Sequence, residues 1–142
     1  MASNWGITPK SSIEAECHRR SRTAVVHDCV ALLNLQRVDP EFLRVLGGPP
    51  AELVLDGGAG GVHGYWPPVW AARGLLHVWD DTATAAIIAA TSHEHWRVRE
   101  MSAKVIAAHR VQPAIDAVVR LMDDENARVR TAARRAIAAV AQ

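Results

Sequence analysis

The second half of this chain repeats itself at an interval of thirty to thirty-one residues, and such a period leaves few folds open. Residues 129–137 read VRTAARRAI, residues 98–106 read VREMSAKVI, and residues 68–76 read PVWAARGLL. Ala132, Met101 and Ala71 superpose, as do Ala136, Val105 and Leu75, and Ile137, Ile106 and Leu76. One turn later Val140, His109 and Trp79 fall in line. The stretches between also match, with AIDAVVRLM (114–122) over ATAAIIAAT (83–91).

Each unit therefore reads as two short helices. Helix A covers about residues 82–91 and 112–122, and helix B about 69–79, 96–109 and 127–141. Asp80-Asp81-Thr82 opens the first A helix, and Pro113 sits in the first turn of the second, where its missing N–H costs nothing. Asp123 to Asn126 ends that helix and offers a cap to the next B helix; Thr91 or Ser92 would cap the B helix before it. One hairpin alone cannot bury its apolar face. Val98, Met101, Val105 and Ala108 form one stripe, and Val129, Ala132, Ala136 and Val140 another, so stacking would bury both. Trp79 and Ile137 are on the buried register as well, whereas Arg99, Lys104 and Arg135 fall outside it.

The first 66 residues are less regular. Ser11 to Gln36 reads as one long helix, Asp39-Pro40 caps a short one ending at Gly47-Gly48, and Pro49-Pro50 opens another that stops at Asp56-Gly57. Residues 56–68 (DGGAGGVHGYWPP) are expected to be an exposed, mobile loop. The 142 residues fit a single domain, with irregular helices and a loop over 1–66 and repeat hairpins over 67–142. Cys17 and Cys29, twelve residues apart on the expected long helix, would lie about 18 Å apart, too far for a disulfide.

The pattern VR-x-x-A-x-x-x-I after a short acidic turn resembles the HEAT repeat. Asp123-Asp124, Val129-Arg130, Ala132-Ala133 and Ile137 carry one copy, and Trp96, Val98-Arg99 and Ile106 the other. The subtype is similar to the short HEAT-like repeat also found in bilin lyases, and the whole chain is similar to small HEAT-repeat proteins of GC-rich actinobacteria. The resemblance covers about residues 68–142 and implies an all-α, α-α superhelix with irregular N-terminal helices. It also implies that helices B line a concave surface, and that Arg99 and Arg130 pair with turn acids such as Asp123, Asp124 or Glu94.

Composition narrows the function. A formal net charge of +1 argues against a protein that coats nucleic acid. No basic n-region precedes an apolar run in Met1–Lys10, and no apolar stretch approaches a membrane span. Two unpaired cysteines suit the cytoplasm. His93-Glu94-His95 looks like a metal fragment, but it falls in a turn without a third ligand; Cys17-His18 cannot converge with His27 and Cys29 along one helix. No nucleophile–base pair and no phosphate-binding glycine pattern is present. No enzyme activity, metal or cofactor is expected.

Residues 93–142 hold nine Lys/Arg against six Asp/Glu, a net of +3, leaving −2 for the remainder. Arg73, Arg99, Lys104, Arg130, Arg134 and Arg135 form a candidate basic stripe on helices B. Tyr65, Trp66 and Trp70 beside the loop are candidate anchors for a partner. The expected function is a scaffold that binds a protein or peptide through the B-helix face. Nucleic-acid binding or DNA repair by the basic stripe is the second reading, although only Glu100 offers a carboxylate on the B helices. The end of the stack, Ala-rich at Ala138-Ala139 and Ala141, is expected to meet a partner or a second copy of the chain. The alternative is a solvated cap made by Arg120, Arg128, Arg130, Arg134 and Arg135, with Lys104 nearby.

Overall fold

The computed structural model describes residues 6–57 and 64–142. Residues 58–63 of the loop expected over 56–68 lie outside the described residues, whereas Asp56-Gly57 and Trp66-Pro67-Pro68 are helical. Among the described residues the protein is all helical. The elements are α1 (Pro9–Arg19), α2 (Arg22–Leu33), α3 (Pro40–Gly47), α4 (Ala51–Gly57), α5 (Trp66–Leu75), α6 (Thr84–Ala90), α7 (Trp96–His109), α8 (Ile115–Leu121) and α9 (Ala127–Val140). Short 3-10 turns at Asp81–Ala83 and Gln112–Ala114 lead into α6 and α8. Helices α5, α7 and α9 are the B helices, lying side by side, and α6 and α8 pack against them as A helices.

The repeat register governs what is buried. Val98, Val105, Ile106, Val118 and Val129 are fully enclosed, and the small residues Ala103, Ala133 and Ala136 let α7 and α9 approach closely. Three details differ from the sequence reading. Ile137 and Trp79 are half-buried rather than enclosed, both packed against the core from its edge. Trp79 follows the end of α5 and stacks on His109, 5.0 Å between ring centroids. Ala108 is exposed, since the face of α7 that carries it is open to solvent.

The expected single helix over Ser11–Gln36 is two helices. The chain breaks at Arg20-Ser21, where Ser21 has φ 154° and its hydroxyl caps α2 by accepting from Ala24 N–H at 3.1 Å. Thr8 caps α1 through reciprocal bonds with Ser11. The two cysteines thus sit on different helices, both free, with Cys29 in the core. Burial pushes both thiols above their ordinary pKa, so neither is an activated nucleophile.

The N-terminal helices seal the first repeat. Helix α2 lies along α5 and reaches α6, and α1 packs on α3 and α5. Ser12 hydroxyl donates to Val45 carbonyl at 2.7 Å, tying α1 to α3. Gly47 is required under Trp70: a Cβ there would stand 2.7 Å from the indole ring. Asp39 caps α3 by accepting from Glu41 N–H at 2.9 Å, and Asp80 does the same for Thr82 N–H at 2.9 Å.

Candidate partner-binding surface

The turns before α7 and α9 are built alike, atom for atom, with different residues. Asp124 Oδ1 accepts from Asn126 N–H at 2.9 Å, and His93 Nδ1 accepts from His95 N–H at 2.9 Å. Asn126 Oδ1 then accepts from Arg128 N–H at 2.9 Å, and His95 Nδ1 from Arg97 N–H at 3.2 Å. The N-cap of α7 is therefore His95, not Thr91 or Ser92. Thr91 instead donates its hydroxyl to Ile88 carbonyl at 2.6 Å. Both imidazoles spend their Nδ1 lone pair on the turn, which accounts for the His93-Glu94-His95 fragment. Burial holds both below the ordinary imidazole pKa, aided by nearby arginine charge.

The same turns absorb two of the six cations of the basic stripe. Arg99 clamps Asp124 with Nε–Oδ2 2.8 Å and Nη2–Oδ1 3.2 Å, and donates from Nη1 to the His93 and Glu94 carbonyls at 2.9 Å each. The pair is mostly enclosed, with side chains 12 % and 8 % exposed. Burial alone would raise the Asp124 pKa, but the Arg99 guanidinium, the Asn126 N–H and the Arg130 charge together bring it below the ordinary value. Arg130 repeats part of this, donating Nη1 to Asp124 carbonyl at 2.7 Å.

Arg73 and Trp70 are not surface residues. Arg73 donates Nη2 to Leu46 carbonyl at 2.6 Å, bridging α5 to α3, and burial depresses its pKa. Trp70 is only 4 % exposed, closed in by Gly47 and the N-terminal helices. Both lie where the irregular half covers the first B helix, so the periodicity that equates Arg73 with Arg134 does not carry over to exposure. Tyr65 and Trp66 are half-buried. Lys104, Arg134 and Arg135 are exposed.

What the structure brings together on this face is partly different. A groove of about 660 Å³ runs between α7 and α9. Ala107, Ala108, Ala127 and Ala132 make its apolar surface, and Lys104, Arg128 and Arg135 its cationic rim. Glu100 lies enclosed at its edge, accepting from Arg128 Nε at 2.9 Å with Lys104 Nζ at 3.8 Å. From the groove a ladder of rings and cations continues to the start of α5. Arg128 lies 5.2 Å from the Trp96 ring, and Arg97 lies 4.6 Å from Trp96 and 5.4 Å from Trp66. Tyr65 stacks on His95 at 3.8 Å. Arg97, Arg128 and Trp96 were not among the candidate binding residues read from the sequence. Their signal was there, since Arg97 and Arg128 are thirty-one residues apart and so occupy one repeat position.

Helical hairpins stacked side by side, with a buried arginine–aspartate pair linking the last two, define a helical-repeat protein. HEAT repeats match residues 68–138, half of the chain, and the chain belongs to that family. No curated protein and no solved structure matches it. HEAT repeats are commonly protein-interaction scaffolds and generally non-enzymatic. Among the described residues no helix is long and apolar enough to cross a membrane.

Proposed function

We propose that this protein is a non-enzymatic interaction module that takes a protein or peptide partner on the exposed face of its B helices, in the groove between α7 and α9. The observation that carries this reading is the groove itself: an alanine surface flanked by Lys104, Arg128 and Arg135, whose one carboxylate, Glu100, is already neutralised by its neighbours. Alanines admit a partner's side chains closely, and the cations select for negative charge at the rim. Repeat stacks present extended surfaces of this kind because each unit contacts only its neighbours. Of the stripe read in the sequence, Lys104 and Arg135 serve this surface, while Arg99 and Arg130 support it from the turns. Tyr65 and Trp66 extend it toward α5.

The alternative of nucleic-acid binding finds less support, because the ring faces that would stack bases are occupied by the protein's own side chains. The test is Ala108→Arg, which fills the groove from an exposed helix position without touching the core. A partner captured from the native host by the parent protein should be lost by this variant at unchanged Tm. Equal capture by both proteins would move the binding surface elsewhere.

A further inference from the structure

Arg97 differs from the other cations near the groove in standing by two indole rings; Arg135, at the groove rim, likewise has no carboxylate partner among the described residues. Lys104 and Arg128 share Glu100, Arg99 holds Asp124, and Arg130 donates to the Asp124 carbonyl. Among the described residues the Arg97 guanidinium meets no carboxylate and no hydrogen-bond acceptor. Its neighbours are the Trp66 and Trp96 rings, at 5.4 and 4.6 Å. A guanidinium held by two indoles loses part of its rotamer freedom before any ligand arrives. The rings attract the face of the cation and leave its N–H edge as a pre-set fork. That fork matches an oxyanion with two acceptors.

We propose that Arg97 is the anchor for a carboxylate of an acidic peptide whose remainder lies in the α7/α9 groove, with Arg128 and Arg135 meeting further acidic side chains. The inference rests on the groove reading above and names the chemistry of its partner. The charge of this face supports it: Lys104, Arg128 and Arg135 line the groove with a single carboxylate, Glu100, that is itself paired. A nucleic-acid strand fits less well. Trp96 is met by Arg97, Arg128 and His95, and Trp66 by Tyr65, Trp70 and Arg97, so neither indole offers bases a clear face. A peptide can place its acids over Arg97 and Arg128 and its apolar side chains over the alanines.

The test is fluorescence anisotropy with three labelled probes: a helical peptide with one glutamate face and one leucine face, its Glu→Gln counterpart, and an oligothymidylate of similar length. The acidic peptide should bind about tenfold more tightly than the Gln counterpart. Arg97→Gln should remove about that factor, equivalent to about 1.4 kcal/mol, the low end for a charged hydrogen bond. Arg97→Lys should recover only part of it, because a lysine keeps the charge and loses the fork. It also serves as the second variant if Arg97→Gln folds poorly. If Arg97→Gln binds like the parent while Ala108→Arg abolishes binding, the anchor is wrong and the groove stands. If no peptide binds, both readings fall. Tighter binding of the oligothymidylate than of the acidic peptide would overturn the proposal in favour of nucleic acid.

Discussion

Arg99 is the residue that joins the two best-formed repeats. It satisfies the Asp124 carboxylate of the following turn and two carbonyls of its own, in a position that solvent barely reaches. Arg99→Ala leaves that carboxylate enclosed without its cation and should cost about 3–5 kcal/mol in urea unfolding. Arg130→Ala removes one bond to a carbonyl and should cost about 1 kcal/mol. Equal losses in the two variants would mean that the inter-repeat clamp contributes nothing special. The histidines of the preceding turn do the work of Asp124 and Asn126, but only while neutral, because a protonated Nδ1 cannot accept an N–H. Folding lowers the pKa of His93 and His95 from 6.5, and that of His77 as well, in each case first through burial. The unfolded chain therefore binds more protons just below pH 6.5. The stability these groups contribute is complete above that value and is lost as pH falls through the lower folded pKa values. The double variant His93→Asp with His95→Asn copies the Asp124/Asn126 turn. It should flatten the stability profile between about pH 7 and pH 5, where the unperturbed imidazole titrates. An unchanged slope in urea titrations would place the pH dependence on other groups.

At the level of the elements, the hairpins were legible because one period set both burial and turns. Val98, Val105 and Val129 are enclosed as the register requires, and the hairpin helices fall within a few residues of their expected bounds, apart from α5, which starts and ends earlier. Ile106→Ala should accordingly cost about 2–5 kcal/mol, since it opens a cavity between stacked helices. Val119→Ala, on the outer side of α8 and 49 % exposed, should stay within about 0.5 kcal/mol. Chemical denaturation of the two variants checks the pair, and similar losses would contradict the burial pattern. The break between α1 and α2 was not legible, for a physical reason. Ile13 before it and Val25 and Cys29 after it all face one core, so the apolar stripe runs on across the break. Only the Ser21 cap marks it, and a serine among polar residues is a weak signal. The exposure of the candidate site residues was legible by half. Lys104 and Arg135 could be placed because they project from helices whose register was known. Arg73 and Trp70 could not, because their exposure is decided by α3 packing from outside the repeat. Arg97 and Arg128 acquire their meaning from Trp96 lying near both, a contact between helices that the spacing of one helix does not show.

Across the whole molecule the two ends of the stack are finished differently. The first repeat is closed by α1 to α4, whereas among the described residues the outer side of α8 and α9 is left open, with Val119 and Met122 exposed and Ile137 half-buried. The sequence pointed to Ala138-Ala139 and Ala141 as the place where a partner or a second copy would meet this end. By register, however, Ala138 is the counterpart of Ala107, which lines the groove, so the end itself is presented by Arg134 and Ile137. Arg134 occupies the position of Ala103, the fully enclosed residue that helps α9 pack closely on α7. A hairpin added in the same manner would have to bury that guanidinium beside the Arg130 charge, and enclosing an unpaired cation costs several kcal/mol. Arg134 is therefore expected to disfavour further stacking on this face, as a polar outer face does in a terminal repeat. Replacing it with alanine should make α9 an imitation of α7 and leave an apolar end formed by Ile137, Val119 and Met122. In sedimentation equilibrium the Arg134→Ala variant should associate more strongly than the parent protein as concentration rises, and added salt should not reverse the effect, because the gain is apolar contact rather than relief of charge. If parent and variant give the same weight-average mass over the whole concentration range, Arg134 is not what limits the stack, and the cap must be sought in the exposed arginines of this end as a group.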